Sequence, residues 1–265
     1  MMHLRSIQYV SIGIAVVLAG ALFLVPVAYR AHAPVPHHEP PAGLNDFLLG
    51  DYYFNHGPYA DGTYDLAAAR AHYEAALAAQ PTGDSAAWYQ LGRIDFLEGK
   101  FTEALHKFDL QLAYFGDDQF PNVYYMRGLS YAYRAKYEGN HDDWSRAETA
   151  FKTFLTHEPE SPWGAVDLSW TYFMQGKYEE MKTLLVAAAT DHPDNPWVLN
   201  MYGLALLNTG DTAQAREVLA RAKNYAAALT IEDWSRSYPG NDPAVWGQGL
   251  EEFRATIDKN ISAAQ

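Results

Sequence analysis

Residues 88–108 read WYQLGRIDFLEGKFTEALHKF. A large aromatic, Trp88, stands three residues ahead of the pair Leu91-Gly92, and Gly99, Phe101, Ala104 and Phe108 follow. These offsets describe either one helical hairpin or one copy of a repeat, and the rest of the chain decides which. Leu168, Tyr172, Gly176, Tyr178, Leu185, Ala188 and Pro193 fill equivalent slots. Thirty-four residues beyond them, Tyr202-Gly203, Leu206, Gly210, Ala215, Leu219 and Ala222 fill the slots again. Leu49-Gly50, Tyr53, Ala69, Tyr73, Ala76 and Pro81 make a further copy with about seven extra residues. Gly128, Tyr131, Ala147, Phe151 and Pro159 make another, stretched by as much. The stretch is one copy of a repeat.

The pattern has a physical basis. Small residues such as Gly92, Gly128, Gly203, Ala104 and Ala147 let two antiparallel helices approach closely, and Tyr73, Phe108, Phe151 and Leu185 fill the space beside that contact. Gly99-Lys100, Gly176-Lys177 and Gly210-Asp211 supply the positive φ that ends one helix and turns the chain. Pro81, Pro159 and Pro193 stop the second helix of their units. No single hairpin buries its apolar face, so each requires the next.

Five copies in one register resemble the tetratricopeptide repeat family, whose unit is 34 residues long. Only the copy at Trp88 has Trp in the leading slot, and Met181 replaces the small residue of the fourth unit. The resemblance implies an all-α protein, a right-handed α-solenoid of about five hairpins over residues 44–229, with first helices lining a concave surface. Carried over slot by slot, Phe47, Tyr89, Tyr125, Val166 and Asn200 form one inward row and Asp51, Arg93, Leu129, Trp170 and Leu204 a second. Tyr133, Trp163, Met174 and Trp197 fall in adjoining groove-facing slots. Relatives that read a C-terminal carboxylate use Lys, Asn and Arg in these rows; here only Arg93 is cationic. An aromatic groove for an apolar or amphipathic peptide remains, built from residue types enriched in binding cores. The competing reading is that these rings pack against neighbouring hairpins or that another part of the chain fills the groove.

Residues 230–265 follow the last copy. Asp242 and Pro243 read as N-cap and first helical residue. Trp246, Leu250, Phe253 and Ile257 recur at helical spacing, leaving Glu251, Glu252, Arg254 and Asp258 on other faces, the pattern of a terminal capping helix. SRSYPGNDP, residues 235–243, reads as a turn-rich approach to it.

Ahead of the repeats, residues 9–29 run 21 residues without a charge. At about 1.5 Å per residue this matches a hydrocarbon core of roughly 30 Å, and a transmembrane signal anchor is expected. Ala31-His32-Ala33 has the small-x-small form of a signal-peptidase site, but the apolar run exceeds the roughly 7–15 residues of a signal peptide and Pro34 follows directly. Arg5 before the span, Arg30 after it and an eight-residue head at 1–8 favour a solenoid on the extracytoplasmic side. Residues 30–43, with Pro34, Pro36, Pro40 and Pro41, form an extended spacer, on which His37, His38 and Glu39 read as solvated rather than as a metal site.

The 265-residue chain carries a formal net charge of −13, which repels phosphate backbones and excludes nucleic acid as an expected partner, and it has no cysteine. No phosphate loop, nucleophile elbow, zinc-binding helix pair or calcium loop occurs. Asp117-Asp118 and His141-Asp142-Asp143 read as solvated connections. No catalytic, cofactor or metal site is expected. The chain reads as a membrane-tethered scaffold for a protein or peptide partner; the alternative is a carrier of a small ligand such as a glycan, stacked on the same rings, with an enzyme third.

Overall fold

The computed structural model describes residues 39–54, 64–79, 86–116, 121–238 and 240–265. The apolar stretch at 9–29, the linker histidines, Pro81 and Asp117-Asp118 lie outside these residues. Among the described residues no helix is long and apolar enough to cross a membrane.

Five helical hairpins follow one another: α1 (Asp46–Tyr53) with α2 (Leu66–Ala79), α3 (Ala87–Leu97) with α4 (Phe101–Phe115), α5 (Pro121–Glu138) with α6 (Asp143–His157), α7 (Pro162–Met174) with α8 (Tyr178–Asp191), and α9 (Pro196–Thr209) with α10 (Thr212–Ala228). Then come α11 (Ile231–Ser237), a single 3-10 turn (Pro243–Val245) and α12 (Trp246–Ala263). From α1 to α10 each helix packs on its chain neighbour, and the first helices α3, α5, α7 and α9 also touch in succession, so the hairpins stack into a solenoid. Starts are set by side chains that accept backbone N–H groups: Asn45 from Leu48, Ser161 from Gly164, and Asn195 from both Trp197 and Val198. Gly99, Gly176 and Gly210 turn the chain at φ of 76°, 72° and 90°.

Within the hairpins the repeat glycines lie flat against a large side chain. A Cβ added at Gly50 would stand 2.5 Å from the Tyr73 ring, at Gly92 2.5 Å from Phe108, at Gly128 2.6 Å from Phe151 and at Gly203 2.5 Å from Leu219. All four partners are fully buried. In the fourth hairpin Ser169 holds the glycine slot, 34 residues before Gly203, and turns its hydroxyl back onto the Val166 carbonyl at 2.6 Å.

The two stretched copies spend their extra residues differently. In the third, α5 continues to Glu138, ten residues past Gly128, whereas α3 ends five past Gly92. In the first, an antiparallel bridge between Phe54 and Tyr64 closes the connection, with Asp65 N–H on the Tyr53 carbonyl at 2.8 Å. The connection after α5 corrects one reading. Asp143 is not a solvated loop residue: it opens α6, is buried, and accepts from Arg134 Nε at 2.6 Å and Arg146 Nη1 at 2.7 Å. Those two guanidiniums outweigh its burial and hold its carboxyl below the ordinary value.

Helix α12 covers the far end. Leu250, Phe253 and Ile257 bury themselves with Val218, Ala222 and Ala226 of α10 and Leu199 and Leu206 of α9. Arg254 donates to the terminal carbonyls of α10, Nε to Ala226 at 3.1 Å and Nη2 to Leu229 at 2.8 Å, a cation at a helix C-terminus. Asn260 donates to Asn200 at 2.9 Å in the buried seam between α12 and α9.

The glycine contacts make a prediction. Gly128→Ala drives a methyl into the Phe151 ring and is expected to cost about 1–3 kcal/mol by overpacking. Gly247→Ala, where an added Cβ meets nothing nearer than Ile231 at 4.0 Å, is expected to be neutral or stabilising. Urea unfolding with unchanged m-value reads both.

Candidate functional site

The site is the inner face made by the first helices, and the segment between α11 and α12 crosses it. The approach is fixed at α11, where Thr230 and Asp233 cap each other's backbone at 3.1 and 2.8 Å. Trp234, 1 % exposed, packs against both Trp197 and Phe253, its ring centroid 6.0 Å from each. Tyr238 follows, 4.5 Å from Trp234, 6.2 Å from Trp163 and 6.3 Å from Trp197. Gly240 reaches the first hairpin: Tyr64 donates its hydroxyl to the Gly240 carbonyl at 3.0 Å. An added Cβ at Gly240 would stand 2.7 Å from Arg93 Nη2 and 3.2 Å from the Phe54 ring, and φ there is +91°. Asn241 is buried, and its carbonyl accepts from Trp246 Nε1 at 3.2 Å. Tyr238, Gly240 and Asn241 thus mark a strap that bridges from the fifth hairpin to the first.

The expected turn-rich approach to the capping helix is therefore a filler of the inner face. Between the strap and helices α3 and α5 a cavity of about 330 Å³ remains, lined by Tyr89, Arg93, Leu97, Tyr125, Leu129 and Tyr238 among others.

The residues singled out in the sequence divide by burial. Tyr133, Trp170, Trp197 and Arg93 are buried, at 1, 8, 8 and 7 % exposure. Trp170 stands edge-on to Tyr133 at 5.5 Å and to Trp144 at 5.4 Å, inside the core shared by the third and fourth hairpins. Trp197 stacks on Phe253 of α12 at 5.1 Å. Phe47, Tyr89, Tyr125 and Trp163 are part-buried, and Met174 is exposed. Phe47 leans on Tyr73 at 5.5 Å, Tyr89 on Phe108 at 5.9 Å, and Trp163 stands edge-on to Trp197 at 5.1 Å. Tyr89, Arg93 and Tyr125 share the cavity; Phe47, Trp170 and Met174 lie apart from it.

Arg93 sits 4.7 Å over the Phe54 ring and donates to Gln90 Oε1 at 2.8 Å. Gln90 in turn donates to Asp51 at 3.3 Å, as does the Tyr73 hydroxyl at 2.6 Å. Burial raises the Asp51 carboxyl above its ordinary value, against the pull of Tyr73 and Arg93. In the last turn of α5, Lys136 Nζ has no hydrogen-bond partner and lies 4.9 Å from the Tyr137 ring and 5.8 Å from that of Trp170. Burial lowers its pKa to about 8.

Sequence reasoning missed Asp167, Tyr64, Trp234, Tyr238 and Gly240. Asp167 faces the strap from α7. It accepts the Tyr125 hydroxyl at 2.5 Å, and burial pushes its carboxyl up to about 7. Its charge also raises the phenol of Tyr238, after burial itself. The one signal in the chain was the dipeptide Pro239-Gly240 beside a tyrosine, in a connection too long for a simple turn. Among the described residues no group of three or more His, Asp or Glu side chains is placed to hold a metal ion.

With this geometry in view, comparison with known proteins is direct. The tetratricopeptide repeat family profile matches residues 47–122 and 166–228, more than half of the chain, and the protein belongs to that family. The unmatched stretch holds most of the lengthened third hairpin. Similar solved structures include a thermophilic TPR protein of Thermus thermophilus at 19 % identity, covering 78 % of this chain and 97 % of that one with a TM-score of 0.52. PilW, described as a widely conserved type IV pilus biogenesis factor, aligns at 15 % identity over 82 % of this chain and 92 % of its own, TM-score 0.55. MamA aligns at 16 % identity over 73 % and 93 %, TM-score 0.53. At these identities the likeness is one of fold. No curated protein sequence matches the chain.

Two outcomes follow from burial. Trp170→Ala is expected to cost about 3–5 kcal/mol of stability, as for a core tryptophan, measured by chemical denaturation. Asp167 holds in the folded state a proton that the unfolded chain releases near its ordinary value of roughly 4. Its stabilising contribution is therefore complete at low pH and is lost as pH rises toward about 7. The melting temperature is expected to fall from pH 5 to 7.5 more steeply in the wild type than in Asp167→Asn, followed by calorimetry; equal slopes would remove Asp167 as the cause.

Proposed function

We propose that the protein is a membrane-tethered scaffold that holds a protein or peptide partner on the inner face of its solenoid, outside the cytoplasm and within an assembly of the cell envelope. The observation that carries the reading is that this face grips a turn of protein chain: a phenol ring beside Trp163 and Trp197, and a backbone carbonyl on the Tyr64 hydroxyl. A second chain offering an aromatic side chain beside a tight turn meets the same chemistry. Rings of this kind supply most of the energy in binding hot spots, on the order of 2 kcal/mol each.

The tether rests on the charge-free residues 9–29 and the proline-rich segment behind them. The fourteen residues 30–43 in polyproline form would reach roughly 40 Å, enough to lift a solenoid clear of lipid headgroups. The net charge of −13 holds the solenoid off an anionic surface and leaves the apolar span as its attachment.

Photo-crosslinking in native membranes tests the reading. A crosslinker at Leu129 or Asn122, beside the cavity, is expected to give a discrete protein adduct, whereas one at Thr183, exposed on α8, gives none. Equal yields at all three positions would remove the inner face as the binding surface. Protease protection on spheroplasts, with intact mass, reads the orientation and whether residues 1–33 are retained.

A further inference from the structure

We infer that the strap occupies the inner face as an exchangeable internal ligand, and that the partner is a turn-forming peptide segment whose aromatic side chain takes the place of Tyr238. This deepens the scaffold reading and rests on it for the existence of a partner.

Three features make the strap an occupant rather than a wall. Its contacts are those of a bound peptide: one ring among Trp163, Trp197 and Trp234, one carbonyl on Tyr64, and a bare Gly240 backbone against Arg93 and Phe54. The fit is incomplete, since the cavity of about 330 Å³ lies on the strap's side toward α3 and α5, where Tyr89 and Tyr125 face it. Both attachments extend beyond the inner face: Trp234 lies on Phe253 of α12 as well as on Trp197, and α12 is held on α10 and α9. Lifting Tyr238 and Gly240 off the inner face loosens the Trp246–Asn241 contact at the start of α12 but leaves Leu250, Phe253 and Ile257 packed.

The competition is one of effective concentration. A segment tethered at both ends presents itself at roughly millimolar level, so a partner must bind the open face well below that to displace it. The measured affinity is reduced by the fraction of molecules whose face is open. A partner peptide that also fills the cavity gains contacts the strap does not make, which gives exchange a direction.

The test uses a fluorescent synthetic peptide, residues 233–242 of this chain, added to the full-length protein in detergent. Wild type is expected to bind it at least tenfold more weakly than Tyr238→Ala, in which the internal ring is removed. The same peptide with alanine at the tyrosine position is expected to lose the binding. Gly240→Ala is the second variant: it keeps the ring but pushes a methyl at Arg93 and Phe54, and hydrogen exchange should then rise in residues 237–241 while α12 stays protected. Equal affinity of wild type and Tyr238→Ala, no binding to either variant, or binding indifferent to the peptide tyrosine each overturns the inference. Because the peptide comes from this chain, its failure is separate from that of the scaffold reading. Crosslinked adducts without peptide exchange keep the scaffold and remove the strap; peptide exchange without adducts does the reverse.

Discussion

A bare Cα against a ring sets the distance between the two helices of a hairpin. Gly50 on Tyr73, Gly92 on Phe108 and Gly128 on Phe151 bring the backbones together, with Gly203 on Leu219 as the aliphatic version. Close approach sends the remaining large side chains outward to the neighbouring hairpin, because no room is left between the helices themselves. Phe96, Phe101 and Tyr133 meet in this way, at 5.2 Å between Phe96 and Tyr133 and 5.9 Å between Phe101 and Tyr133. Stacking of hairpins is thus a consequence of tightness within them.

The same constraint governs the inner face. A first helix turned by its glycine presents one stripe toward the second helix and another to the hollow of the solenoid. Rings at the boundary serve both, which is why Trp170 is core while Tyr89 and Tyr125 border a cavity. The strap completes what a row of first helices leaves open. Tyr238 lies near enough to Asp167 for the carboxylate to raise its phenol, and burial rather than any neighbouring charge raises the Asp167 carboxyl toward neutrality.

Much of this was legible in the chain, and the rest was not for physical reasons. The hairpins, the turn glycines and the Asp242-Pro243 helix start are local: each depends on residues within a turn of one another, so spacing alone reports them. Asp242 does accept from Ala244 N–H at 2.9 Å, but it starts the 3-10 turn Pro243–Val245, and α12 itself begins only at Trp246. Burial of the inward rings depends on what lies opposite, and that is distant in sequence. Tyr125 finds Asp167 across 42 residues and Tyr64 finds Gly240 across 176. Asp143 shows the same limit at short range, since Arg134 reaches it only because α5 runs long.

The tie from Tyr64 to Gly240 also changes what kind of object the solenoid is. An open array of repeats depends on nearest neighbours only; it frays from either end and grows from any interior nucleus. A link between first and last units turns the line into a loop, so that fraying at one end strains the other. It also raises the mean sequence separation of native contacts, which slows the last stage of folding. On a ribosome the first hairpin emerges early and finds its final neighbour only when the C-terminal residues appear. Folding of this chain ends where its synthesis began.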